Sequence, residues 1–259
     1  MRPLWTGAIG FGLVNIPVKL YSATESSSLD LDMLDKKDHS NIKFQRINEK
    51  TGKEVKWENI VKGYKIENKY VVLDDKDFEK ANAVKTKLIE IAEFVDAGEI
   101  NSAYYETPYY LAPDKSGVRP YALLREALIK TNKVGIATFV MRNKEALAVL
   151  RGEDDVIILN RIRFHQEIRN TAPLELPKKA DIKPAELKMA VTLVEQLSGK
   201  FNIEKYKDTY TEQLMKEIEA KAKGIKTKAP EMKVVHSKAT DLMEQLKASL
   251  NTTKRKKAS

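Results

Sequence analysis

Val14, Ile16, Val18 and Leu20 alternate with Asn15, Pro17, Lys19 and Tyr21. A period of two is the signature of a half-buried strand and rules out a helix over this stretch. The alternation follows Gly7, Gly10 and Gly12 in WTGAIGFGLVNIPVKLY. Glycines this close together raise the question of a phosphate-binding loop. Such a loop needs a strand before the glycines and a helix after them, whose N-terminus meets the phosphate. Here almost no chain precedes Gly7, a strand follows, and the G-x-x-G-x-G spacing reverses the fingerprint. The glycines are therefore expected to let the backbone bend or pack closely in a sheet. Pro17 within the alternation predicts an edge strand or a bulge.

More strands are predicted downstream: Tyr70–Leu73, residues 88–95 and residues 104–111. Residues 134–141 and "ALAVL" read as a hairpin with Arg142, Asn143 and Lys144 at its bend, and residues 155–160 add another strand. Between them, Arg119–Thr131 reads as a helix, with Pro120 at its first position and Leu124, Ala127 and Leu128 on one face. Residues 1–172 are thus expected to form a mainly β domain, a barrel with inserted helices. After the proline-rich "PLELPKKADIKP" the period changes to helical. Pro184 opens a helix striped by Leu187, Ala190, Val191, Val194 and Leu197, which Ser198 and Gly199 stop. Thr209 and Glu212 suggest a capping box for a further helix that Gly224 ends. Residues 173–224 read as a helical region. Residues 225–259 read as a flexible Lys-rich tail with a short amphipathic helix along Ala239, Leu242, Met243, Leu246 and Leu250.

Charge separates these regions. The net charge is +9, but residues 221–259 carry 11 Lys/Arg against 3 Asp/Glu, and the other 220 residues carry 35 against 34. A neutral body with a basic tail suggests a polyanionic partner, nucleic acid foremost. Within the body the signs segregate. Residues 36–56 are net +4 and residues 115–144 net +6, whereas residues 74–99 are net −4. Cysteine is absent, which excludes disulfides, cysteine-ligated zinc and a thiol nucleophile. No apolar run reaches the roughly 20 residues of a membrane-spanning helix. No secretory signal is expected from the N-terminal pattern. These features predict a cytoplasmic protein with no membrane partner.

Catalytic motifs are lacking. His39, His165 and His236 have no metal-ligand spacing, and neither a nucleophile elbow nor a Walker loop occurs. Asp74, Asp75 and Asp77 could serve a Mg²⁺-dependent nuclease, but their placement also suits a solvated turn capping a short helix. No catalytic residue, metal or cofactor is therefore expected. Two rival functions stay open, that nuclease and a basic protein coating duplex DNA anywhere.

Several long stretches carry a family resemblance. "WTGAIGFGLVNIPVKLYSATE" (5–25), "IVKGYKIENKYVVLDDKDFEK" (60–80), "YYLAPDK" (109–115), "FVMRNKEALAVL" (139–150), "IKPAELKMA" (182–190) and "KYKDTY" (205–210) resemble bacterial Ku. The resemblance covers about residues 1–224. It implies a Ku-core β-barrel whose excursions from two subunits close a ring around duplex DNA. It also implies a helical C-terminal arm that braces the homodimer and recruits a multifunctional end-joining DNA ligase. The chain would itself be no enzyme and would associate with the nucleoid. One departure stands out. Many bacterial relatives carry a Cys-x-x-Cys pair after "IKFQR", whereas this chain reads "RINEKTGKEV" at 46–55. The bend there must rest on Thr51–Gly52 turn chemistry and strand pairing.

A ring recognises a DNA end by topology, so its lining should bind phosphates and ignore bases. Under this resemblance the DNA-binding candidates are Lys43, Arg46, Lys53 and Lys56 on a basic hairpin, Arg119 and Arg125 at a helix start, and Arg142 and Lys144 at a hairpin bend. Phe44, Ile47 and Val55 would pack there or pair across the dimer. Lys254, Arg255, Lys256 and Lys257 of the tail are a second DNA contact. Leu187, Val191, Val194, Tyr206, Tyr210, Leu214 and Ile218 are the candidates for ligase binding.

Overall fold

In the computed structural model the alternation of β2 (Val14–Ser22) becomes an inside and an outside. Ile16, Val18 and Leu20 are fully buried, while Pro17, Lys19 and Tyr21 are only half-buried. The structure describes residues 1–81, 87–142, 144–176, 182–225, 245–246 and 249. The strands are β1 (Trp5–Phe11), β2, β3 (Lys62–Ile66), β4 (Lys69–Leu73), β5 (Leu88–Asp96), β6 (Tyr105–Pro113), β7 (Lys133–Met141), β8 (Lys144–Glu153) and β9 (Val156–Ile162). The helices are α1 (Asp75–Ala81), α2 (Val118–Thr131), α3 (Pro184–Leu197) and α4 (Thr209–Ala222).

Seven strands close into a barrel in the order β1-β2-β6-β9-β8-β7-β5, and β1 completes the circle by pairing parallel to β5. The expected mainly β barrel with inserted helices is therefore present. At its closure the glycines have their use. A Cβ on Gly7 would lie 2.2 Å from the Lys87 carbonyl oxygen and 2.3 Å from the Trp5 ring, so only glycine lets β1 approach β5 here. Gly12 adopts φ +56° in the turn to β2, a conformation that favours glycine.

Pro17 does not mark an edge strand. β2 is bonded to both β1 and β6, but its ladder with β6 starts only at Val18, so Pro17 needs no donor on that side. The partial alternation of residues 88–95 reflects a register shift between Ile91 and Glu93.

Helix α2 closes one end of the barrel. It starts at Val118, so Pro120 is its third residue, not its first. A proline fits there because the first four helical N–H groups lack intrahelical acceptors. The buried face is Tyr121, Leu124 and Leu128; Ala127 is exposed, because the turn-to-turn spacing that reaches the core runs through Tyr121. These side chains join the barrel interior of Ile9, Ile16, Leu111, Leu150, Ile157 and Leu159 in one apolar cluster. The Tyr121 hydroxyl donates to the Leu111 carbonyl at 2.6 Å and accepts from the Ile157 amide at 2.7 Å. Burial raises the Tyr121 phenol above its ordinary pKa, against the opposing pull of the Ile157 amide and Arg125.

β3 and β4 form a separate two-stranded sheet with no buried residue. β3 shows no alternation because neither of its faces is covered, and no strand was expected there. The described chain divides into two compact units, residues 1–26 with 30–170, and residues 27–29 with those from 171 onward. In the second unit α3 begins at Pro184 as predicted. The cap of α4 lies one residue earlier than expected. Asp208, not Thr209, accepts from the Thr211 hydroxyl at 2.6 Å and the Thr211 amide at 3.1 Å, so its carboxylate, at the N-cap, takes the third helical N–H. Those bonds, with one from the Ser27 hydroxyl, hold the Asp208 carboxyl below its usual range. Gly224, at φ +71°, follows the helix end. Of the predicted tail helix only Gln245, Leu246 and Ser249 are described, all helical; the rest lies outside the described residues.

Candidate nucleic-acid interface

Between β2 and β5 the chain makes an excursion in which no described residue is buried. Its basic hairpin forms through backbone pairing. The Val55 amide donates to the Arg46 carbonyl at 2.7 Å and the Asn48 amide to the Lys53 carbonyl at 2.8 Å, with Ile47 bridged to Glu54. Gly52, at φ +66°, turns the chain. The Asn48 side chain accepts from the amides of Lys50 and Thr51, both at 3.0 Å, which makes it an Asx turn. A turn and strand pairing thus make the bend, as expected, and Asn48 is the turn residue that sequence reasoning missed.

Lys43 and Arg46 enter the hairpin and Lys53 and Lys56 leave it, all four exposed. The Arg46 guanidinium lies 4.7 Å from the centroid of the Trp57 ring, which steadies it by a cation–π contact. Phe44 and Ile47 do not pack within the chain: they are 79% and 64% exposed, as Trp57 is at 72%. Tyr64, Tyr70 and Val72 of the small sheet are also exposed.

On the barrel, Arg142 occupies the β7–β8 bend with φ +51°, and Lys144 starts β8; both are exposed. Arg119 is exposed in the first turn of α2. Arg125 is placed differently. Its guanidinium meets Glu126 at 2.6 Å and Asp155 at 3.7 Å, so its charge is engaged inside the chain, and the Glu126 hydrogen bond raises its pKa further. Lys254, Arg255, Lys256 and Lys257 lie outside the described residues.

Sequence reasoning passed over Arg161 and Arg163. Arg161 Nε meets Glu106 Oε2 at 3.0 Å, and Arg163 pairs with the other oxygen of the same carboxylate. The signal was available: Ile157, Leu159, Arg161 and Arg163 continue one period-two column past the end of the apolar run.

The acidic segment is a helix cap. The Asp77 amide donates to Asp74 Oδ1 at 2.9 Å, and the Asp74 amide to Asp77 Oδ2 at 3.0 Å, a reciprocal arrangement that starts α1. Among the described residues no three His, Cys, Asp or Glu side chains are grouped to hold a metal ion. No described helix is long and apolar enough to cross a membrane.

In the second unit Leu187, Val191 and Val194 are roughly half or more exposed, and Tyr206 and Tyr210 more so. Leu214 is half-buried and Ile218 is 38% exposed. The apolar stripe of α3 therefore faces outward in this chain, while Met189 and Leu193 are half-buried.

Comparison with known proteins agrees with the barrel. Residues 10–189 match the family model described as the Ku70/Ku80 beta-barrel domain. Three relatives carry the name non-homologous end joining protein Ku. That of Cupriavidus necator is 44% identical, covering 87% of this chain and 68% of the relative. That of Archaeoglobus fulgidus is 42% identical, covering 98% and 100%. That of Coxiella burnetii is 40% identical, covering 99% and 96%. With the closed barrel and a family match over most of its length, this chain belongs to the Ku family.

Proposed function

We propose that this chain is a non-enzymatic, homodimeric DNA-end-binding protein of non-homologous end joining, which threads duplex ends through a ring without reading bases and recruits a DNA ligase. The observation that carries the reading is the excursion between β2 and β5. It has no buried residue among those described, yet it bears Phe44, Trp57, Tyr64 and Tyr70 beside Lys43, Arg46, Lys53 and Lys56. An arm with so little core of its own needs a second surface to cover its apolar side chains. A second copy of the arm supplies that surface and leaves the cations for phosphate. The names of the relatives support the pathway.

Phosphate contact gives affinity without sequence, as an end-joining protein requires. Arg119, Arg142 and Lys144 extend the same sign onto the barrel. Arg125 serves chiefly to pin α2 through its acidic partners. Lys254, Arg255, Lys256 and Lys257 hold DNA loosely from the tail and raise its local concentration. The protein works in the cytoplasm, on the nucleoid.

Removing residues 225–259 should weaken DNA retention at moderate salt and leave a dimer. Light scattering then reads twice the mass of the truncated chain; a monomer would refute dimerisation through the body.

The outward stripe of α3 and the α4 residues Tyr210, Leu214 and Ile218, with Tyr206 before them, form the dimer brace and ligase contact. Substituting Val191 and Val194 by Asp should abolish binding to the end-joining ligase in calorimetric titration of the whole protein. Undiminished binding would move the ligase contact elsewhere.

A further inference from the structure

The two ends of the barrel differ. At the C-terminal end of β8 the interior is closed by Tyr121, Leu124 and Leu128 of α2. At the N-terminal end of β8 a cavity of about 290 Å³ opens, with Tyr109, Met141 and Ala146 on its walls. Arg142, Lys144 and Arg161 line the same cavity, with Glu145 as its one acidic residue.

The sequence explains why a positive cavity forms there. Ile157 and Leu159 fill the barrel interior, and Arg161 shares their face of β9. The interior column thus changes from apolar to cationic at the open end. Two further groups set the geometry. Glu106 is only 18% exposed at its side chain and takes the Arg161 Nε at 3.0 Å, which fixes the guanidinium plane. Arg163 binds the other carboxylate oxygen and offsets its charge. An arginine held through Nε keeps its terminal N–H groups for a second acceptor, and planar paired donors suit phosphate oxygens.

We infer that this open barrel end seats a phosphate group of the bound DNA, held by Arg142, Lys144 and Arg161. The inference rests on the DNA-end-binding reading and deepens it by naming a discrete contact. Liquid water takes about 30 Å³ per molecule, so the cavity admits a phosphate with part of its hydration shell. Three cations outweigh Glu145. The apolar walls lower the local dielectric and strengthen each charge-assisted bond. The phosphate is either an internal phosphodiester or the 5′-phosphate of the end.

The test is binding of the whole protein to end-labelled linear duplexes with a 5′-phosphate or a 5′-hydroxyl, across a salt series, with a covalently closed circle as competitor. Each neutralised phosphate contributes about 0.9 to the slope of log affinity against log salt. Arg161→Gln should lower the slope by about that amount, and Arg161→Lys should retain it. Loss on both duplexes identifies a backbone phosphodiester; loss only on the phosphorylated one identifies the terminal group. Glu106→Gln removes the counter-charge and should tighten binding several-fold, a gain that misfolding cannot produce. Unchanged slope in Arg161→Gln, with linear DNA still preferred over the circle, would overturn the seat and leave the function standing. Binding by Glu106→Gln no tighter than wild type would also overturn it. Equal competition by the circle in the wild type would defeat end threading instead, and the Arg161 slope would still decide the seat.

Discussion

Replacing Tyr121 by Phe should destabilise the barrel by about 2–6 kcal/mol, since each of two buried polar groups left unpaired costs about 1–3 kcal/mol. One hydroxyl joins the Leu111 carbonyl of β6 and the Ile157 amide of β9, so its loss orphans an acceptor and a donor together. The substitution removes almost no volume, which separates this cost from that of a cavity. Trp5 is the natural probe. Its indole donates to the Val140 carbonyl at 3.1 Å and its ring meets Phe139 edge-on, so its fluorescence follows the barrel. Trp57 is largely exposed and changes less. In urea the expected result is a lower midpoint with an unchanged slope. An unmoved midpoint would mean that α2 does not close the barrel through this hydroxyl.

Reversing the charge at Lys43, Arg46, Arg142 and Lys144 together should abolish DNA-end binding at near-physiological salt while the thermal transition stays in place. All four side chains are exposed and none forms a salt bridge with another described residue, and the one contact that depends on sign, Arg46 over the exposed Trp57 ring, lies at the surface and holds no core. Up to four phosphates would lose their partners, each worth about 0.9 of the salt slope. Retained affinity, measured by anisotropy on a short duplex, would place the DNA on another face. Arg125 is not among them, because reversing it would break its contacts with Glu126 and Asp155 and confuse binding with stability.

The barrel was legible in the sequence because burial on one face writes itself as alternation. Ala137, Phe139, Ala146, Ala148 and Leu150 show the pattern that predicted the β7–β8 hairpin. β3 left no such trace, since neither of its faces is buried. Helix ends were legible to within a residue or two, and the errors came from competing caps. Asp208 displaced Thr209, and a short turn at Lys115–Gly117 carried the start of α2 back to Val118. The basic hairpin was readable from charge and turn residues together. What pattern reading could not give was the pairing of individual cations. Arg125 and Arg119 look alike in sequence, yet one is tied to Glu126 and the other is exposed. Arg161 carries no apolar signal of its own, because the hydrophobic run ends before it. The face it continues was set two and four residues earlier.

The central claim is threading, and competition at near-physiological salt tests it most directly. A labelled linear duplex is challenged with the same sequence as an unlabelled linear fragment or as a covalently closed circle. The account predicts that the linear fragment competes and the circle does not. Equal competition by the circle would show a protein that grips duplex from the side, and the ring would have to be abandoned.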